Sequence, residues 1–192
     1  MGSIVLLITS LIFLISSGFF INRFNTSIHS KLSSVILIIA GFTYLWMSQL
    51  NYHEEFYNLR LWRYIDWFLT VPLMIYQMFH LLDLKTRTKS DFIGSLICML
   101  MMLICGILGE SGITPKLISG VVGIGFALYT FTTMVNSITK PYYRFFTSVL
   151  ILWLFYPVVY FIEDSFITIL LYSLVDLTAK LGGAIYIESK IK

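Results

Sequence analysis

The chain has 192 residues, of which 58% are hydrophobic, 17% aromatic and only 12% charged, with a mean hydropathy of +0.85. Soluble domains carry about a quarter charged residues, so a water-solvated surface is excluded over most of the chain. Cys98 and Cys105, the only cysteines, share one apolar stretch and exclude a disulfide scaffold, and a net charge of +3 spread over loops excludes a nucleic-acid face.

Seven apolar stretches of about 20 residues follow, each long enough to cross a ~30 Å hydrocarbon core. The first, Ile4 to Phe20, has no preceding basic residue and no small-residue cleavage site, so a mature helix is expected rather than a signal peptide. Asn25-Thr26-Ser27 behind it is a glycosylation sequon. The second runs from Leu32 to Leu50, the third from Leu61 to Leu82 and the fourth from Phe92 to Leu108. The fifth, Leu117 to Ile138, contains Gly120-Val121-Val122-Gly123-Ile124-Gly125. That run lacks the βαβ context of a dinucleotide fingerprint and predicts close helix packing instead. The sixth covers Tyr142 to Ile162 and the seventh Phe166 to Ile187. Runs this long and continuous are unlike barrel strands. The expected fold class is therefore an all-α bundle of seven transmembrane helices, forming one membrane domain over residues 1–192. His29, His53 and His80 sit near span ends without metal-ligand spacing, so no metal site is expected.

Loop charges orient the bundle. Arg23, Lys31, Lys85, Arg87, Lys89, Lys140, Arg144, Lys190 and Lys192 fall on one side. Arg60 and Lys116 fall on the other, with Glu54, Glu55, Glu110, Glu163 and Asp164. Basic loops stay cytoplasmic, which places the N-terminus outside and the C-terminus inside. Termini on opposite sides require an odd number of spans. The sequon would then lie on the cytoplasmic side and stay unmodified.

Charges at membrane depth cost about 2.5–3.5 kcal/mol each on insertion scales and need a reason. Arg63, Asp66 and Thr70 share one helix face in the third span, and Asp176 and Lys180 share one in the seventh. If those helices are neighbours, one lysine meets two carboxylates and a guanidinium. Spacing alone fits two outcomes equally. One is a buried ion-pair network that fixes helix register. The other starts from Lys180, the only lysine inside a span: desolvation favours its neutral, nucleophilic amine, ready to form a Schiff base with a carbonyl compound. Trp67, Trp153, Tyr156 and Tyr160 offer a flat apolar slot for a conjugated ligand, although aromatics at helical spacing also simply pack a bundle.

Three motifs carry a resemblance. Arg63-Tyr64-Ile65-Asp66-Trp67-Phe68-Leu69-Thr70-Val71-Pro72-Leu73 resembles the third-helix signature of microbial (type 1) rhodopsins. Trp153-Leu154-Phe155-Tyr156-Pro157-Val158-Val159-Tyr160 is similar to their sixth helix, and Asp176-Leu177-Thr178-Ala179-Lys180 to their seventh-helix attachment motif. Leu108-Gly109-Glu110-Ser111-Gly112-Ile113 resembles the proteorhodopsin branch, and the compact chain is consistent with a viral-type member. The resemblance covers about two thirds of the chain and is weakest in the first two spans. It implies all-trans retinal held covalently on Lys180 as a protonated Schiff base. It further implies Asp66 as counter-ion and proton acceptor, Asp176 as second counter-ion, and Arg63 as outer gate. Trp67, Trp153 and Tyr156 would sandwich the polyene, with Pro157 and Tyr160 in the pocket and Met74 at a colour-tuning position.

The departures from the family decide among activities. Proton-pumping relatives carry a carboxyl donor eleven residues after the acceptor, about three turns along the same face; here that position is Gln77, which has no titratable proton. Proteorhodopsins pair the acceptor with a second-helix histidine, and here Thr43 and Tyr44 stand near that place. Glu163 is the candidate outer release group. A chloride pump would lack Asp66, a sodium pump would replace Asp66 and Thr70 while sharing Gln77, and inward pumps usually lack Asp176. The resemblance thus implies a light-driven ion transporter, first an outward proton pump with slow reprotonation. A light-gated cation channel with Glu54 or Glu55 at its vestibule, or a photosensor with a separate transducer, is the alternative. An enzyme is not expected. The lipid bilayer and the transported cation are the implied partners, and family analogy implies a ring-shaped homo-oligomer.

Overall fold

The computed structural model describes residues 1–22, 27–50, 56–81, 89–135 and 143–190, with the side chains of 56–58, 143, 145 and 190 excepted. Arg23, Asn25, Thr26, His53, Glu54, Glu55, Lys85, Arg87, Lys140 and Lys192 lie outside the described residues, as do the expected span ends Leu82, Ile138 and Tyr142. The described chain is helical throughout: α1 Gly2–Ile21, α2 Ile28–Ser48, α3 Phe56–Leu81, α4 Lys89–Glu110, α5 Lys116–Val135, α6 Tyr143–Tyr160 and α7 Ser165–Asp176. A π-turn over Leu177–Gly182 joins α7 to α8, Gly183–Lys190. The expected seventh span is therefore one rod interrupted at its centre.

Helix ends follow local chemistry. Ser27, the last residue of the sequon, caps α2 by accepting a hydrogen bond from the Ser30 amide at 3.1 Å. Asp164 does the same for α7, accepting from Ile167 N at 2.8 Å. The Glu110-Ser111-Gly112-Ile113 run closes α4 with a Schellman turn. The amides of Gly112 and Ile113 reach the carbonyls of Gly109 and Leu108 at 3.2 and 3.1 Å, and Gly112 takes φ +71°.

Among the described residues, five helices are long and apolar enough to cross a membrane: α1, α2, α4, α5 and the composite rod Ser165–Ser189. α3 is long enough but too polar to meet the same measure, because its inward face carries Arg63, Asp66, Thr70 and Gln77. The helices pack in sequence, α1 on α2 through α6 on α7, and α7 returns to α1 to close the ring. Large apolar side chains face outward, among them Ile15, Leu117 and Val158, while serines, threonines and the site charges are buried. That inverted polarity suits a hydrocarbon solvent, where backbone groups are satisfied within helices and polar side chains turn inward.

Small residues allow the close approaches. Ser10 Oγ donates to the Gly41 carbonyl at 2.8 Å, and a Cβ at Gly41 would meet the Leu14 side chain. Gly123 lets α5 approach α4, where a Cβ would stand 3.5 Å from the Met102 carbonyl oxygen. The glycine run is not uniform: Gly120 faces Phe161, whereas Gly125 faces open space and packs nothing. Cys98 and Cys105 are half-buried free thiols.

Candidate functional site

α3 and the seventh rod place Asp66, Asp176 and Lys180 at the centre of the bundle, with both carboxylates fully buried and Lys180 4% exposed. Lys180 Nζ donates to Asp66 Oδ2 and lies 3.6 Å from Asp176 Oδ2. The two carboxylates are held differently. Asp176 accepts from Tyr44 Oη at 2.7 Å, from Tyr156 Oη, and from Trp67 Nε1 at 3.2 and 3.4 Å. Its lone pairs are thus saturated by donors from α2, α3 and α6. Asp66 Oδ1 is buried with no hydrogen-bond partner among the described residues. Of the two carboxylates beside the lysine, Asp66 is the one with an oxygen open to a proton.

The π-turn is centred on this lysine. Its wider spacing interrupts the i→i−4 ladder within one turn of Asp176, and Thr178 Oγ1 closes back on the Leu174 carbonyl at 2.7 Å. Such turns are rare and cluster at functional sites.

Three expected site residues make no direct contact with the lysine or the two carboxylate groups. Arg63 is 1% exposed but does not join the carboxylates; its guanidinium lies 4.5 Å from the centre of the Tyr172 ring. No described carboxylate comes within ion-pair distance of it, and Nε and Nη2 have no protein partner. Cation–π attraction and burial against an aromatic face hold it one turn before Asp66 on α3. Thr70 does not reach the Asp66 carboxylate either, because its hydroxyl donates to the Asp66 main-chain oxygen at 2.8 Å. This back-bond is the usual resting place of a mid-helix threonine. Tyr160 lies outside the lysine cavity: it lines a neighbouring space beside Gly106 and Ser119, and Lys116 Nζ stands 5.1 Å from its ring centre.

The lysine cavity is lined by Trp67, Met74, Trp153, Tyr156 and Pro157 together with Lys180. Trp67 and Tyr156 meet edge to face, with centroids 5.1 Å apart. Phe131, Met102 and Leu103 complete the wall and were not singled out from sequence. Tyr44 was noticed only as a neighbour of Thr43. Thr43 turns away and bonds the Ile39 carbonyl at 2.9 Å.

Gln77 is buried and spends its amide on α2, donating to Ser33 Oγ at 2.8 Å and to the His29 carbonyl at 3.1 Å. At the opposite end of α3, Glu110 is clamped by Arg60 and by Lys116 Nζ at 3.8 Å. Glu163 is exposed.

Seven helices ringed around a buried, ion-paired lysine beside an aromatic cavity define a multi-pass membrane protein. The family pattern described as Bacteriorhodopsin-like protein matches residues 1–189, and the chain belongs to that family, the microbial type 1 rhodopsins. It is 27% identical over 172 residues to the green-light absorbing proteorhodopsin of Gamma-proteobacterium EBAC31A08, covering 81% of this chain and 69% of that one. The fold is similar to that of viral rhodopsin OLPVRII, with a TM-score of 0.83, 23% identity and coverage of 100% and 99% of the two chains. It is also similar to blue light-absorbing proteorhodopsin from Med12, with a TM-score of 0.82, 22% identity and coverage of 99% and 96%. The family consists of light-driven retinal proteins of the membrane, transporters and receptors rather than classical enzymes.

Proposed function

We propose that this chain is a light-driven outward proton pump with slow reprotonation, formed by one membrane domain with its N-terminus outside and its C-terminus in the cytoplasm. The observation that carries the reading is the Lys180–Asp66 bond: a buried amine in contact with a carboxylate whose second oxygen is free. Retinal fits the residues present, since the only amine in the cavity stands at the end of an apolar, aromatic-walled space. When bound to Lys180, retinal would supply light absorption and the isomerisation that changes proton affinity at Nζ.

The protein's own residues do the rest. Asp66 Oδ2 receives the proton from Nζ along an existing hydrogen bond. Asp176 stays a fixed negative charge, pinned by Tyr44, Tyr156 and Trp67, and compensates the cation in the dark. Trp67, Trp153 and Pro157 confine the ligand and keep bulk water from the site. Met74, with no polar group, sets green absorption. Arg63, poised over Tyr172, stands on the outward side of Asp66 and directs the released proton outward.

Gln77 supports a second reading. Its amide is occupied by α2 and holds no titratable proton, so recovery is slow, as suits a light-gated channel or a sensor. Photocurrent against membrane voltage separates the readings. A pump keeps the sign of its current as the voltage is reversed, whereas a channel current reverses.

A further inference from the structure

Where α2 begins and α3 ends, two histidines meet that the site above does not use. His80 Nδ1 faces His29 Nε2 at 3.2 Å, and the rings stand edge to face with centroids 4.9 Å apart. His80 is exposed, whereas His29 is 7% exposed and its Nδ1 has no protein partner. The pair thus reaches from the surface into the bundle. Two facing imidazole nitrogens share one N–H at a time, so a proton added to either ring is bonded to the other. Imidazole is the side chain whose ordinary charge change falls between about pH 5 and 8.

Further polar groups lie inward of the pair, tied to the His29 main chain. Gln77 Nε2 bonds both the His29 carbonyl and Ser33 Oγ. Ser33, Gln77 and Lys180 then line one small cavity, with room for a bridging water. The charged groups around the pair come from every neighbouring helix. Glu188 on α8 accepts from Ser30 Oγ at 2.7 Å beside His29. Tyr76 on α3 packs on His80 with centroids 6.2 Å apart. Lys31 on α2 and Asp91 on α4 carry charge at the same end of the bundle.

We infer that the His29–His80 pair is the proton store that resupplies Lys180 Nζ from the cytoplasmic end, in place of the carboxyl that position 77 lacks. The inference rests on the proposed pump reading and its orientation. The shared proton leaves its imidazole nitrogen and passes by water along Ser33 and Gln77, and an N–H bond forms at Nζ. The imidazole pair is left neutral and refills from cytoplasmic hydronium at exposed His80. Gln77 is a positioning residue here: it ties the His29 segment to α3 and borders the water path.

The test compares wild type, His80→Gln and His29→Gln in bilayers by the recovery of the visible band after a flash, from about pH 5 to about pH 9. A stored proton predicts a wild-type rate that is flat at acid pH and falls as the pair loses its proton. In His80→Gln, whose side chain is exposed and supports no core packing, the rate should fall roughly tenfold or more near neutrality. It should then track proton concentration without a plateau, and added free imidazole should restore it. A readout independent of the photocycle is the ¹⁵N NMR titration of both rings in the dark: they should titrate as a unit, and His80→Gln should shift the His29 curve. Identical pH profiles in all three pigments, or rings that titrate independently, overturn the inference while leaving the pump reading intact. A protein that forms no pigment overturns both.

Discussion

Tyr44→Phe isolates one contact of the site that only the structure revealed. The substitution removes a single oxygen, leaves the ring packed edge to face on Phe13 with centroids 5.6 Å apart, and deletes the 2.7 Å bond to Asp176 Oδ2. A hydrogen bond to a charged group contributes about 1.5–3 kcal/mol in proteins generally. Contacts between membrane helices measure lower, up to about 1.7 kcal/mol, because the unfolded chain finds other partners in the bilayer. Tyr156 and Trp67 remain on Asp176, so no charge is stranded, and about 1–2 kcal/mol is expected. That is a five- to thirty-fold change in the folded-to-unfolded ratio, roughly. The assay is reversible unfolding in mixed micelles, followed by loss of the visible band. Tyr76→Phe is the control, since Tyr76 is exposed. The double variant Tyr44→Phe, Tyr156→Phe should lose more than the sum, because only the longer Trp67 bonds at 3.2 and 3.4 Å would remain. If Tyr44→Phe matches Tyr76→Phe within about 0.3 kcal/mol, Asp176 is not held as described.

Other substitutions probe the remaining parts. Asp66→Asn removes the carboxylate that stabilises positive charge at Nζ, so the dark absorption should move to the red, and acidification of wild type should do the same; an unchanged spectrum would remove Asp66 from the counter-ion role. Met74→Gln places a dipole in the wall of the lysine cavity and should move absorption to the blue, whereas a red shift or none would show that position 74 does not touch the chromophore. Gln77→Glu supplies a local proton and should speed recovery after a flash and flatten its pH dependence; recovery no faster than wild type would show that proton supply at this position does not limit the cycle.

Much of the fold was legible because membrane helices are written in long apolar runs, and all seven are present in the described chain. Asp66, Asp176 and Lys180 were legible because charge at that depth is costly, and only helix packing was needed to join them. The π-turn at Leu177–Gly182 was not, since no Pro interrupts that stretch and its i→i−4 pattern reads as continuous helix. For Arg63 and Thr70 the face was legible but the side-chain partner was not, for a shared reason. Helical spacing fixes the face a residue occupies but not the partner its side chain selects, and here Tyr172 and the Asp66 carbonyl were nearer. Tyr160 shows the same limit at the end of α6, one turn beyond Tyr156 yet facing an adjoining space that shares Trp67, Tyr156 and Pro157 with the lysine cavity. The His29–His80 pair joins residues from two helices, and no spacing rule along one chain brings them together.

The attachment of retinal to Lys180 is tested most directly by adding all-trans retinal to the Lys180→Ala protein and recording its visible spectrum beside wild type. Lys180 is the buried amine of the aromatic cavity and is bonded to Asp66. The account predicts a colourless variant, with normal folding checked by circular dichroism, and a coloured wild type. A variant that keeps an intact visible band would contradict it.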